Sequence, residues 1–379
     1  MKKPASVFEN VATTTLVSID SLHKMVYTSE ASFSTVNSWD QQLKPKIFTK
    51  LSSPAVYVNY QNTGNQYNKA IFTCIGNMDA VDVSAGSLLS YSLNTPVKKA
   101  DTITAKLPRP VQSIMADFNK DGLPDYAVCG FGHNTGGLYL LMQKPDHRFT
   151  KSVIRDISGA TQAVVGDYNH DGWPDIMCLF AQAQEGIWLF INNHQGGFTT
   201  SNLLKFLPVF GSTSFQVADF NQDGQPDILY TCGDNSDYSR ILKPFHGVYI
   251  FLNTGNLKFK KSYFYPVNGC TKAIAADFDG DGDLDMASIA FFSNYKNNPN
   301  EGFIYFEQDK PLHFVPTSLP ISKEGRWICM DVNDWNGDGK LDIGLGNFSL
   351  GFNNIEGFKP DWNLKTPMIV LENKSASKH

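Results

Sequence analysis

Residues 117–125 read DFNKDGLPD, and this stretch decides the fold. Side-chain oxygens stand at positions 1, 3, 5 and 9, and the glycine at position 6 permits the sharp turn that lets them converge. So many oxygens in nine residues repel one another unless a cation sits among them. The stretch recurs as DYNHDGWPD from Asp167, DFNQDGQPD from Asp219, DFDGDGDLD from Asp277 and DWNGDGKLD from Asp334, at intervals of 50, 52, 58 and 57 residues. A repeat of that length has the size of one blade of a β-propeller.

The surroundings repeat as well. A short apolar run precedes each copy (VQSIM, TQAVV, FQVA) and a second follows it (YAVCGF, IMCLF, ILYTC, MASIAFF, IGLGNF). A third run (GLYLLM, GIWLFI, GVYIFL, GFIYFE) and, after a turn, a fourth that begins at phenylalanine complete the unit. Short β-branched and aromatic runs bounded by turn residues are strands, and four per repeat make one antiparallel blade. Upstream, VYVNYQNTGNQYNKAIFTC fits the same template with Asn59 at the place of the first aspartate, and TTLVSIDSLHKMVYT does so with Asp20. The expected fold is therefore all-β: a seven-bladed β-propeller of four-stranded antiparallel blades, one domain over residues 1–379. Its repeats start near 20, 59, 117, 167, 219, 277 and 334. The last repeat lacks a fourth strand before the chain ends, while ASVFENV (5–11) has no blade of its own. That N-terminal strand is expected to complete the seventh blade and close the ring by backbone hydrogen bonds.

The repeats resemble the FG-GAP or VCBS family, the calcium-loop propeller repeats also found in integrin α-subunits. CGFGHNTGG at 129–137 shows the FG pair and the later glycines. The resemblance implies a binding surface on the face opposite the calcium loops, or in the central channel.

The loop chemistry points to calcium by itself. Calcium takes six to eight hard oxygens, and four side chains with a backbone carbonyl at position 7 supply most of them. The expected ligands are Asp117, Asn119, Asp121 and Asp125; Asp167, Asn169, Asp171 and Asp175; Asp219, Asn221, Asp223 and Asp227; Asp277, Asp279, Asp281 and Asp285; and Asp334, Asn336, Asp338 and Asp342. An EF-hand would need an acid at position 12, where Val128, Cys178, Tyr230, Ser288 and Leu345 stand. About five structural calcium ions are expected. A motif built once per repeat reads as a staple, whereas a catalytic metal site is normally single and keeps a position open.

Composition sets the remaining bounds. The chain is 42% hydrophobic and 18% charged, which suits a buried core, and its formal charge is -5. The five loops hold 17 of the 37 acidic residues, so five divalent ions would move that charge to +5. Nothing here calls for nucleic acid, and no run is long enough for direct membrane insertion. The six cysteines lack metal-ligand spacing and read as small buried apolar residues. Lysines of the outer strands, such as Lys151 and Lys260, blunt an exposed sheet edge.

The loops opposite the calcium loops supply the candidate ligand-binding residues: Arg240, His246, Tyr295, Lys296, Arg326 and Trp327. Two of them, GDNSDYSRILKPFHG and SNYKNNPNEG, exceed what a turn requires. No HExxH, GxSxG or P-loop motif is present. The expected role is non-catalytic binding of a glycan or a protein, outside the cytoplasm, where calcium is millimolar. The alternatives are a polysaccharide lyase, with Arg240, His246, Lys296 and Arg326 converging, or a scaffold domain of a larger surface complex.

Overall fold

The computed structural model describes residues 1–5, 10–62, 67–95, 99–236, 241–350 and 359–375. Its strands form six four-stranded sheets and one three-stranded sheet, each an antiparallel meander in chain order. These are seven blades, at residues 14–50, 55–107, 110–155, 160–205, 212–266, 270–318 and 327–371, and the fold is a seven-bladed β-propeller.

Burial explains the sequence pattern of a blade. Every residue of the second strands Asp125–Gly130, Asp175–Phe180, Asp227–Cys232, Asp285–Ala290 and Asp342–Asn347 is buried. Hence they read as continuous apolar runs. The outermost strands, such as Phe149–Arg155 and Phe259–Pro266, are largely exposed and carry the lysines.

The chain divides into two compact units, residues 49–212 and residues 1–48 with 213–379. In the first, blades 2 and 3 share a core of Ile71, Leu88, Tyr126, Val128 and Leu141. Blades 3 and 4 share one around Cys129, Leu138, Ile176, Cys178 and Phe190. In the second unit, clusters around Ile250 and Phe306, around Trp327 and Leu345, and around Trp39 and Trp335 join blades 5 to 6, 6 to 7 and 7 to 1. The core reading of the cysteines holds for the five that are buried, while Cys329 is half-buried.

Side chains of the innermost strands also stitch consecutive blades together. In unit 49–212, Asn59 Nδ2 donates to the carbonyl of Ser113 at 2.9 Å, and the N–H of Ala163 donates to Gln112 Oε1 at 2.6 Å. In the other unit, the Ala275 N–H donates to Gln216 Oε1 at 2.8 Å, Lys272 Nζ to the Met330 carbonyl at 2.9 Å, and the Ile19 N–H to Asp331 Oδ2 at 2.7 Å.

Both degenerate starts sit differently from expectation. A β-bulge near the beginning of the first strand recurs in blades 1, 2, 3, 4, 6 and 7 and serves as a ruler. It equates Cys74 with Gly130 and Ala55 with Pro110, so Asn62, not Asn59, stands at the first loop position, and Lys69 stands where the ninth-position aspartate belongs. Asn59 lies inside the strand Ala55–Asn62, because pairing there continues to Asn62 opposite Tyr67. Asp20 ends its strand opposite Met25 and accepts the His23 N–H at 3.0 Å, so blade 1 has a four-residue turn in place of the loop.

Blade 7 has three strands among the described residues. Lys2 and Val370 exchange two backbone bonds of 2.7 and 2.9 Å, and Thr13 bridges Phe348. Residues 6–9 of the expected closing strand lie outside the described residues.

Candidate metal centres and the opposite loop end

Each complete loop leaves the first strand and ends on the aspartate that starts the second. In blade 3, Asp117 accepts the N–H groups of Asp121 at 3.1 Å and Gly122 at 2.8 Å. Asn119 Oδ1 accepts the Asp121 N–H at 3.1 Å. Asp125, fully buried, accepts the N–H groups of Phe118 at 3.0 Å and Gln143 at 2.8 Å. The same bonds recur in the loops from Asp167, Asp219 and Asp334. The backbone is left-handed at position 6, as expected of Gly122, Gly172, Gly224, Gly282 and Gly339, and also at position 4, where Lys120, His170, Gln222, Gly280 and Gly337 stand.

The Asp277 loop carries an extra acid at position 3. Asp277, Asp279 and Asp281 each bring a carboxylate oxygen within 4.8 Å of the other two. Asp285 accepts the Tyr305 hydroxyl at 2.6 Å and the Gln308 N–H at 2.9 Å. Burial first, and then the charges of Asp279 and Asp283, push its carboxyl up to about 6 against those hydrogen bonds. Asp125 is likewise pushed to about 6, by burial and then by Asp121 and Asp117, and Asp175, Asp227 and Asp342 are raised for the same reasons. Such carboxylates ionise more readily beside a cation, and an all-oxygen set suits a hard one. The residues present fit calcium.

One neighbour of these loops is not evident from the motif. His194, on the turn between the third and fourth strands of blade 4, places Nε2 2.8 Å from Asp171 Oδ2 and stacks on Trp173 with ring centroids 4.5 Å apart. Lys120 Nζ lies 4.6 Å from the centroid of the same indole.

At the opposite loop end, the five candidate residues that are described do not form one open pocket. Arg240 lies outside the described residues. His246 is buried, and burial together with the Lys243 charge pushes its imidazole down to about 4. Trp327 is core, packed with Ile289, Phe303 and Ile321. Arg326 is 2% exposed; Nε donates to the Phe291 carbonyl at 3.1 Å and the guanidinium lies 3.7 Å from the Phe291 centroid. Tyr295, half-buried, donates its hydroxyl to that same carbonyl at 2.7 Å and packs on Trp362 at 5.0 Å. Lys296 alone of the five described residues is exposed. Thus Arg326, Tyr295 and Trp362 do come together, as a packed support beneath the loop.

Two further residues matter there and in blade 2. Asp82 accepts the N–H groups of Asn134 at 2.8 Å and Thr135 at 3.0 Å, and Asn134 Nδ2 at 2.7 Å, so the blade 2 loop clasps the HNTG turn of blade 3. These bonds hold its carboxyl down to about 2. Lys69 replaces an acid that every complete loop contains, a signal the bulge register makes readable.

Comparison with known proteins agrees with the fold. The FG-GAP-like repeat model matches residues 117–178 and 167–230. Cartilage acidic protein 1 of Mus musculus is 29% identical over 155 residues, 38% of this chain and 23% of that protein, and the Homo sapiens protein is 29% identical over the same length. The match thus spans less than a quarter of the length of these curated relatives. An ancestral GH74 enzyme superposes with a TM-score of 0.59 at 10% identity, over 97% of this chain and 49% of that one. BBS1N, solved in complex with ARL6DN, does so at 0.52 and 12% identity, over 97% of this chain and 95% of its own. At such identities these likenesses concern the fold alone.

Proposed function

Because the chain is a seven-bladed β-propeller carrying FG-GAP-like repeats, we propose that it is a calcium-stabilised, non-catalytic binding module. Residues 1–379 are taken as one propeller domain. The observation that carries this reading is the repetition of one loop geometry, with its hydrogen bonds and two left-handed positions, in five blades. A reaction needs one centre, whereas a cation per blade neutralises each acid cluster and ties the first strand to the second. The side chains at positions 1, 3, 5 and 9 would each give an oxygen to an ion, about five ions in all. An extracytoplasmic setting supplies millimolar calcium.

The ligand is a glycan or a protein met by the loops opposite, with Lys296 on an exposed turn held from beneath by Tyr295, Arg326 and Trp362. Catalysis by His246 and Arg326 fits poorly, since both are buried. Membership of a larger surface complex would use the same loops.

The test is binding to a glycan array and to purified protein candidates, with calcium and after chelation, alongside an assay for unsaturated uronate at the ultraviolet absorbance of that product. Calcium-dependent binding without turnover supports the module, and accumulation of unsaturated product would replace it with a lyase.

A further inference from the structure

We propose that the cleft between blades 2 and 3, at the calcium-loop end, seats a neutral sugar residue. This goes beyond the reading above, which places ligands at the other loop end, and it rests on separate residues.

Side chains two apart on a regular strand share a face, so in blade 2 Lys69 points with Ile71 and Ser90 with Leu88, and Asp101 stands directly opposite Ser90. Farther in, Ile71 and Leu88 enter the core shared with blade 3. Toward the calcium-loop end the same face turns polar, and packing gives way to a cavity of about 500 Å³. Blade 3 lines it with Leu123 and Pro124 of its acid loop and with Tyr126, Gln143, His147 and Phe149. The equivalent cleft between blades 6 and 7 is smaller, about 240 Å³, and sets apolar Phe303, Leu319 and Ile343 beside Asp279, Glu372 and Lys374. What is particular to the blade 2 cleft is Lys69, standing where the complete loops have their ninth-position aspartate.

The polar groups there are not spent on one another. Among the described residues neither Lys69 nor Asp101 joins an ion pair, although both line this cavity, and the side-chain bond within the lining is Gln143 Nε2 to His147 Nδ1 at 3.4 Å. An anion would meet Asp101 and a cation would meet Lys69. A neutral polyol satisfies both: its hydroxyls donate to the carboxylate and accept from the ammonium and the amides, while its C–H face lies on Phe149 and Ile103. The volume lies within the range of small-ligand sites.

Saturation-transfer NMR and calorimetry on the calcium-loaded full chain decide this, using methyl glycosides of glucose, galactose, mannose and N-acetylglucosamine, with methyl glucuronide and glycine as charged probes. At least one neutral glycoside is expected to bind. Lys69→Gln and Asp101→Asn should each weaken it by about tenfold or more, as loss of a hydrogen bond to a charged group does, with Tm unchanged. Failure of every neutral glycoside to bind overturns the proposal. So does binding that both variants leave intact, which would move the sugar elsewhere while the glycan reading of the opposite end stands. Preferential binding of glucuronide or glycine at Lys69 and Asp101 overturns it in favour of a charged ligand.

Discussion

A left-handed backbone at position 4 is a cost carried by the three loops that lack glycine there, at Lys120, His170 and Gln222, with φ of 57°, 60° and 59°. Asparagine, whose short side chain can hydrogen-bond locally, visits that conformation more routinely than histidine. His170→Asn should therefore raise stability by up to about 1 kcal/mol in chemical denaturation, without the backbone entropy that glycine would add to the unfolded chain. A lower midpoint would show that His170 contributes more than its φ costs. Glu30 supplies a pH test. It is buried, accepts the Thr13 N–H at 3.0 Å and the Thr14 hydroxyl at 2.8 Å, and burial outweighs these bonds to push it up to about 7. Between its ordinary value near 4.5 and about 7 the folded chain holds a proton that the unfolded chain releases, so stability falls as pH rises through that window. Measured in excess calcium, Glu30→Gln should flatten the fall between pH 4.5 and about 7, and an identical slope would remove Glu30 as its source. Neither Glu30 nor Arg326 reveals its burial in the one-dimensional pattern, because each is covered by side chains distant in sequence. The aspartates and glycines of the loops could be read, because their spacing is local.

Blades are the scale at which the sequence was most legible. Five acid loops at near-constant intervals, each between two apolar runs, leave little freedom of assignment, and the strands lie where those runs do. The blade 2 hairpin was less so: its first strand runs three residues past Asn59, and only the bulge shows the shift. Long loops offered no comparable guide, since Arg326 is covered by Phe291 and Tyr295 and Trp327 by residues of neighbouring strands, contacts that periodicity does not encode. At the N-terminus, Lys2 bonds to Val370, pairs with Glu372 and lies 5.1 Å from the Trp335 ring, while Lys3 pairs with Glu324. Deleting residues 1–10 removes all four contacts, which lie on blade 7 and the residues flanking it, and should lower Tm by several degrees in calorimetry. An unchanged Tm would mean that blade 7 does not depend on this segment.

In the whole molecule, the proposed calcium ions neutralise five acid clusters. A ligand present at 100 times its Kd stabilises by about 2.7 kcal/mol per site, so five sites outweigh any single contact described above. Sequential loss of loops should then be graded: Asp117→Ala and Asp277→Ala each remove one bound ion, with smaller effects than chelation of all five. The most direct measurement is thermal unfolding of the full chain in calcium, after removal of calcium by chelator, and after its return, with bound metal counted by mass spectrometry. The predicted result is close to five calcium ions per chain and a reversible drop in Tm of more than about 10 °C on chelation. A chain that binds no calcium, or whose unfolding is indifferent to chelator and added calcium alike, would contradict the account.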